Sequence, residues 1–137
     1  MVTHLDTSFL VDLLRETKRG SDGPARSWLR ENQHEPLAIS PFVLCELMAG
    51  AELQEKPDEE RRRVRTVVSG LPVALVDERL AVTFGKTYAE LRKRGQAIGT
   101  MDLLIASVAL VEGAGLLTAN AERFGRIGSL KVVAYRS

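Results

Sequence analysis

The sequence predicts an α/β fold, a three-layer sandwich whose central parallel sheet of about four to five strands is flanked by helices. Two observations support this fold class. Short apolar segments typical of strands alternate with longer segments typical of helices along the whole chain, and glycine or proline residues separate many of them. Strands that alternate with helices join by right-handed crossovers, so the sheet is expected to be parallel and covered on both faces.

The strands are predicted from short runs of apolar residues that end at polar or turn-forming residues. In chain order the predicted strands are residues 2–5, 37–40, 72–77, 116–118 and 131–135. The run PVALVD, residues 72–77, is predicted to be a buried strand that ends at Asp77. Ligands of parallel sheets bind beyond the carboxyl ends of the strands, so a functional site is expected near Asp6, Thr118 and Asn120.

The helices are predicted from their start and stop signals. Ser40 and Pro41 form a strong N-cap and first-position pair, and Thr100 is a good N-cap for the helix that Gly113 and Gly115 end. The first predicted helix is capped by Thr7 or Ser8 and extends to about Thr17, and a second, which contains Trp28 and Leu29, follows the break at residues 20–24. A further helix begins at Pro57, and another spans about residues 78–94. Residues 121–125 are predicted to form a short helical turn.

Length and composition predict one globular domain, residues 1–137, with no membrane partner. The hydrophobic content is 45%, the formal net charge is +1, and the longest apolar stretch is shorter than the ~20 residues that a membrane helix needs. A single cysteine, Cys45, excludes an intramolecular disulfide, and the N-terminus lacks the features of a signal peptide. We therefore expect a cytoplasmic protein.

Three acidic residues interrupt segments that otherwise have the composition of a core. Asp6 follows the first predicted strand, Glu46 is the only charge in residues 41–50, and Asp102 is the only charge between Gly99 and Val111. Each acid has a simpler explanation. Asp6 can cap the first helix, and Asp102 can interact with the positive end of a helix dipole. Glu46 can lie on an exposed stripe of its helix.

A shared metal ion accounts for all three acids together. An isolated buried carboxylate is costly, and two unit charges about 4 Å apart repel by ~4 kcal/mol at an effective dielectric of 20. A divalent cation removes both penalties. Oxygen ligands without a Cys/His cluster favour Mg²⁺ or Mn²⁺ over zinc.

Four segments carry a family resemblance. LDTSFLVDLL, SPFVLCELMAG, GTMDLLIASVAL and LLTANAERF occur in this order over nearly the whole chain, and together they resemble the PIN-domain ribonucleases, within these the VapC-type toxins of toxin–antitoxin pairs. The resemblance implies a PIN-like fold and an Mg²⁺-dependent endoribonuclease, with Mn²⁺ able to substitute, that hydrolyses tRNA or rRNA. It also implies a VapB-type antitoxin partner, which would lay an apolar helix into a groove, and a homodimer.

The resemblance assigns roles to four positions. Asp6, Glu46 and Asp102 match the family's three acids, as catalytic residues and metal ligands, with Asp6 and Asp102 the first choices for direct ligation. Asn120 falls at the fourth catalytic position, where many members carry Asp, and this departure removes one charge. The metal would orient the scissile phosphate and activate a water that Glu46 holds or deprotonates.

Hydroxyl and basic side chains complete the predicted site. Hydroxyl groups near the metal or phosphate are expected from Thr7, Ser8 and Thr118, although helix capping explains the first two equally well. With the three acids neutralised, the 19 basic residues outnumber the remaining acidic residues by four. The candidates for contact with RNA phosphates are Arg15, Lys18, Arg19, Arg92, Lys93 and Arg94.

Two other functions fit parts of the sequence. A receiver-type signalling domain would accept a phosphoryl group on Asp77 at the end of its predicted buried strand, but it would leave Glu46 and Asp102 without a role. A catalytically inactive domain that only binds RNA or protein would keep the fold, although all three acids are present.

Overall fold

The computed structural model describes residues 1–136 as a parallel four-stranded sheet flanked by helices, which confirms the predicted fold class. The strand order is β2-β1-β3-β4. In chain order the elements are β1 (Thr3–Leu5), α1 (Thr7–Arg19), α2 (Pro24–Glu31), β2 (Leu37–Ala38), α3 (Pro41–Glu52), α4 (Pro57–Val68), α5 (Glu78–Lys93), α6 (Thr100–Val111), β3 (Gly115–Thr118), α7 (Ala121–Phe124) and β4 (Val132–Ala134).

The central strands β1 and β3 are buried along their whole length and lie side by side. Leu5 is paired with Leu117, so Asp6, which follows β1, and Thr118, the last residue of β3, lie at the same edge of the sheet. The backbone N–H of Asp6 donates to the carbonyl of Leu117 at 2.9 Å, which continues the pairing by one residue. The register thus brings two chain segments more than 100 residues apart to one place.

The core forms where α1 and α6 pack against the sheet. Phe9 and Leu10 of α1 and Ala106 of α6 are fully buried, together with Leu116 and Leu117 of β3. The weak amphipathicity of α6 reflects this burial, since its apolar residues face neighbours on nearly all sides. Within residues 1–136, no helix has the length and apolar character that crossing a bilayer requires.

The start of α2 is held by a buried carboxylate from α1. Glu16 accepts hydrogen bonds from the backbone N–H groups of Gly23, Ala25 and Arg26, each at 2.9 Å. A Cβ atom on Gly23 would lie 2.7 Å from the Glu16 carboxyl carbon, so a larger residue at this position would push the carboxylate away from its hydrogen bonds. The carboxylate serves as the N-terminal cap that a glycine cannot provide.

Three sequence predictions are wrong at the level of single elements. Residues 72–77 do not form a buried strand: only Val73 makes a bridge to the sheet, at Ile39, and Leu75 is 90% exposed. Asp77 is the N-cap of α5 and accepts from the backbone N–H of Arg79 at 2.9 Å, so the premise of the receiver hypothesis fails. The N-cap of α6 is Gly99, and Thr100 is the first residue of the helix. The N-cap of α1 is Asp6, so neither Thr7 nor Ser8 is at that position.

Tyr135 connects the C-terminal segment to α1 and gives a testable pH dependence. Its hydroxyl donates to Asp12 Oδ2 at 2.7 Å and lies 3.2 Å from the Ser8 carbonyl oxygen, and its ring meets Phe9 edge-on. Burial, reinforced by the Asp12 carboxylate, raises the pKa of Tyr135 far above its usual range. In the unfolded chain a tyrosine ionises near pH 10, so above that pH the folded state holds more protons than the unfolded state.

We therefore expect the free energy of unfolding to fall as the pH rises above about 10, and to fall less steeply in Tyr135→Phe. Urea denaturation at several pH values between about 9 and 12 measures both slopes. Tyr88→Phe is the matched control, because Tyr88 is 45% exposed. Equal slopes in wild type and Tyr135→Phe would contradict the prediction.

Candidate active site

Asp6 is a buried carboxylate whose hydrogen bonds all reach one of its two oxygens. The residue is 3% exposed and stands at the N-cap position of α1, yet its side chain makes no capping hydrogen bond. Ser8 Oγ and Thr118 Oγ1 donate to Oδ2 at 2.8 and 2.7 Å. Among residues 1–136, no hydrogen bond is made to Oδ1. Side-chain capping therefore does not explain Asp6, and Oδ1 can still accept a hydrogen bond or a cation.

The two hydroxyls around Asp6 are oriented by the loop after β3. Ser8 Oγ accepts from the backbone N–H of Ala119 at 3.0 Å, and Thr118 Oγ1 accepts from that of Asn120 at 2.9 Å. Each hydroxyl therefore receives one backbone hydrogen and directs its own to Asp6. Asn120 contributes its backbone to this network, and its half-buried side chain is at the N-cap position of α7.

Glu46 approaches the same edge from α3. Thr7 Oγ1 donates to Glu46 Oε1 at 2.5 Å, which joins the first residue of α1 to α3. Glu46 also lines a cavity of about 380 Å³, whose walls include Val11, Leu14 and Leu47. The exposed residues of α3 are Cys45, Ala49 and Glu52, whereas Glu46 is half-buried, so the exposed-stripe explanation does not describe Glu46.

Asp102 lies in the first turn of α6 and is paired with a cation of the chain itself. Arg123 Nη1 donates to Asp102 Oδ2 at 2.7 Å. Arg123 is not among the site residues that the sequence predicts. The only local signal is its position three residues after Asn120 in a short helical turn, which does not identify an acid 21 residues earlier.

The donor set fits a hard divalent cation held by few protein ligands. Asp6, Glu46 and Asp102 offer only oxygen atoms, the ligand type of Mg²⁺ and Mn²⁺. No group of three His, Cys, Asp or Glu side chains in residues 1–136 is placed to hold one metal ion together. Mg²⁺ commonly binds through one or two carboxylates, several waters and substrate phosphates. The open Oδ1 of Asp6 suits that mode, and a closed cage of all three acids does not form in this arrangement.

The predicted phosphate contacts fall into two groups. Arg15 and Lys18 of α1 line the same cavity as Glu46, and Lys18 also pairs with Glu60 at 3.3 Å. Arg19 donates to Ser21 at the C-terminal end of α1. The second group, Arg92, Lys93 and Arg94, lies at or just after the end of α5. There Arg92 contacts Tyr88, and Arg94 donates to the carbonyl of Arg126.

Comparisons with known proteins show which family this chain resembles. The PIN domain family matches residues 4–130. Ribonuclease VapC2 of Rickettsia felis is 34% identical over 98 residues, which are 72% of this chain and 73% of that protein. The tRNA(fMet)-specific endonuclease VapC of Shigella flexneri is 33% identical over 95 residues, 69% of this chain and 72% of that protein.

Solved structures give the same result at the level of the fold. The crystal structure of VapBC2 from Rickettsia felis bound to a promoter DNA fragment matches with a TM-score of 0.90 and 28% identity, covering 99% of this chain and 100% of that chain. DNA-bound VapBC from Salmonella typhimurium matches with a TM-score of 0.88 and 26% identity, covering 99% of both chains. With the family match extending over residues 4–130, this chain belongs to the PIN-domain family.

Proposed function

We propose that this chain is a divalent-metal-dependent endoribonuclease that acts as the toxin of a toxin–antitoxin pair, with residues 1–137 as one nuclease domain. The observation that carries the proposal is the buried Asp6 carboxylate, oriented by two hydroxyls and open at Oδ1, at the carboxyl edge of the sheet. Relatives named as ribonucleases and endonucleases, and structural neighbours that are VapBC complexes, support it.

Asp6 is proposed as the principal metal ligand, with Asp102 and Glu46 as further ligands, directly or through water. Bound there, Mg²⁺ would orient the scissile phosphate, lower the pKa of a water and neutralise charge on the leaving oxygen. Mn²⁺ is expected to substitute, since both ions prefer oxygen ligands. Ser8 and Thr118 hold the Asp6 carboxylate in one orientation.

Glu46 is proposed to orient the attacking water and accept its proton. Thr7 fixes one carboxylate oxygen, Oε1, and this contact limits rotation of the side chain. The Glu46 side chain also borders the cavity, which gives a water access to it. Asn120 is proposed to position water or a carboxylate, because its amide adds hydrogen-bonding groups without adding charge.

The RNA is proposed to approach over α1. Arg15 and Lys18 border the cavity beside Glu46 and would contact phosphates next to the scissile one. Aromatic residues are only 5% of the chain, so recognition of the shape and backbone of a folded RNA is favoured over base stacking. A tRNA is the preferred substrate class, since relatives are named tRNA(fMet)-specific endonucleases.

The antitoxin is proposed to occupy the groove that contains this cavity, between α1, α3 and α4. Apolar side chains Leu14, Leu47 and Val64 form its floor, and Glu46 at its margin can pair with a basic side chain of the partner. A VapB-type partner is indicated because structural neighbours are VapBC complexes. We also propose a homodimer, and a cytoplasmic setting where RNA and antitoxin are both available.

The experiment is a cleavage assay with labelled tRNA, purified protein and defined metal. We expect cleavage with Mg²⁺ or Mn²⁺, no cleavage with a chelator, and a rate about 100-fold lower for Glu46→Gln, because a general base is lost. Glu122→Gln is the matched control, since Glu122 is 81% exposed and pairs with Arg126. Cleavage that survives chelation would overturn the metal dependence, and full activity of Glu46→Gln would overturn the role of Glu46.

A further inference from the structure

The Asp102–Arg123 pair puts a positive side chain where the proposed function needs a metal ligand. The two groups meet at 2.7 Å through Asp102 Oδ2, and their side chains are 23% and 45% exposed. Neither Asp6 nor Glu46 has a basic partner among residues 1–136, and both accept from hydroxyls instead. One acid of the three is thus neutralised within the chain.

A guanidinium and a divalent cation compete for the same carboxylate. Arg123 donates to Oδ2 only, but a divalent cation on either oxygen of Asp102 would lie within a few ångströms of the guanidinium, and like charges at that distance repel. Arg123 also lies close to the sheet edge, because it belongs to α7, which begins directly after Asn120. The partial exposure of Arg123 allows its side chain to move into solvent without opening a hole in the core.

We propose that Arg123 is a resident counter-ion of the active site, which holds Asp102 while the metal is absent and opposes the binding of a metal to Asp102. This inference rests on the proposed metal-dependent function. Its consequence is that Arg123 weakens the metal affinity of the RNA-free protein. A purely structural arginine would act in the opposite direction, since its removal would loosen the site.

The test is the affinity of the RNA-free protein for Mn²⁺ alone, measured by isothermal titration calorimetry. We expect Arg123→Gln to bind Mn²⁺ about fivefold more tightly than wild type, the upper end of what one partly exposed ion pair contributes. Arg123→Lys keeps the charge and is expected to stay within about twofold of wild type. Asp102→Asn should bind more weakly than wild type.

Arg79→Gln is the matched control, because it removes an equal charge from another Arg–Asp pair, with Asp77 at 3.0 Å. It should leave the Mn²⁺ affinity unchanged, which separates the local contact from net charge. Circular dichroism and metal-free melting temperatures establish that each variant is folded.

The outcomes separate this inference from the proposed function. If wild type binds Mn²⁺ and Asp102→Asn weakens it, but Arg123→Gln binds no more tightly, the counter-ion role is overturned and the metal site stands. If Arg123→Gln and Arg79→Gln tighten binding equally, net charge is the cause and the inference is also overturned. If neither wild type nor Arg123→Gln binds Mn²⁺, the metal site itself is wrong and the inference falls with it.

Discussion

Asp6→Asn is expected to lower the rate of RNA cleavage by about 1000-fold while the protein stays folded. The substitution keeps the shape of the side chain but removes the negative charge that a divalent cation requires. A 1000-fold lower rate corresponds to the loss of several kcal/mol of transition-state stabilisation. The hydroxyls of Ser8 and Thr118 can rotate toward the remaining amide oxygen. A cleavage assay at saturating Mg²⁺ measures the rate, and thermal unfolding in parallel shows whether the variant stays folded.

Two further variants make the Asp6 result specific. Asp22→Asn removes an equal charge from an exposed pair with Arg26 and Arg30 and should keep full activity. Thr118→Val removes the donor to Asp6 and the acceptor for the Asn120 N–H, so it should cost about 10- to 100-fold in rate. If Asp6→Asn retains activity within about tenfold of wild type, Asp6 is not the principal metal ligand.

Glu16→Ala is expected to lower the free energy of unfolding by about 3 kcal/mol. The variant removes a carboxylate that accepts from three backbone N–H groups, and the N–H of Ala25 is left in a buried position without an acceptor. Residue 16 itself is only 3% exposed, so the missing side chain also leaves unfilled space. Urea denaturation measures the change as a lower midpoint at an unchanged slope.

Glu31→Ala is the control for the Glu16 prediction. Glu31 is the last residue of α2 and is exposed, so its removal should change stability by less than about 0.5 kcal/mol. An equal effect of the two substitutions would show that the Glu16 carboxylate is not the cap of α2.

The strand and helix order followed from local signals in the sequence. Ser40 and Pro41 predicted the start of α3, and Ser40 Oγ does accept from the Val43 N–H at 3.1 Å. Such signals suffice because a cap depends on residues within one helical turn of each other. The edge where Asp6 and Thr118 meet was also predictable, since parallel strands place their carboxyl ends together.

Residues 72–77 show where local signals fail. An apolar run of this length is typical of a buried strand, yet Leu75 and Val76 are exposed and only Val73 bridges to Ile39. Burial of a strand requires a partner strand and a covering layer, and neither is encoded in the run itself. These residues are exposed because the rest of the chain places neither a partner strand nor a covering layer over them.

By itself, the sequence determined the fold class and the three acids that stand out from apolar segments. The tertiary structure decided what each acid contacts. Thr118 reaches Asp6 across 112 residues, and Arg123 pairs with Asp102 across 21. The sequence predicted carboxylates that repel one another until a metal binds, whereas the fold gives Asp6 two hydroxyl donors and Asp102 a cation of the chain. The physical reason is that composition and periodicity are local properties, while electrostatic partners are chosen by packing between distant segments.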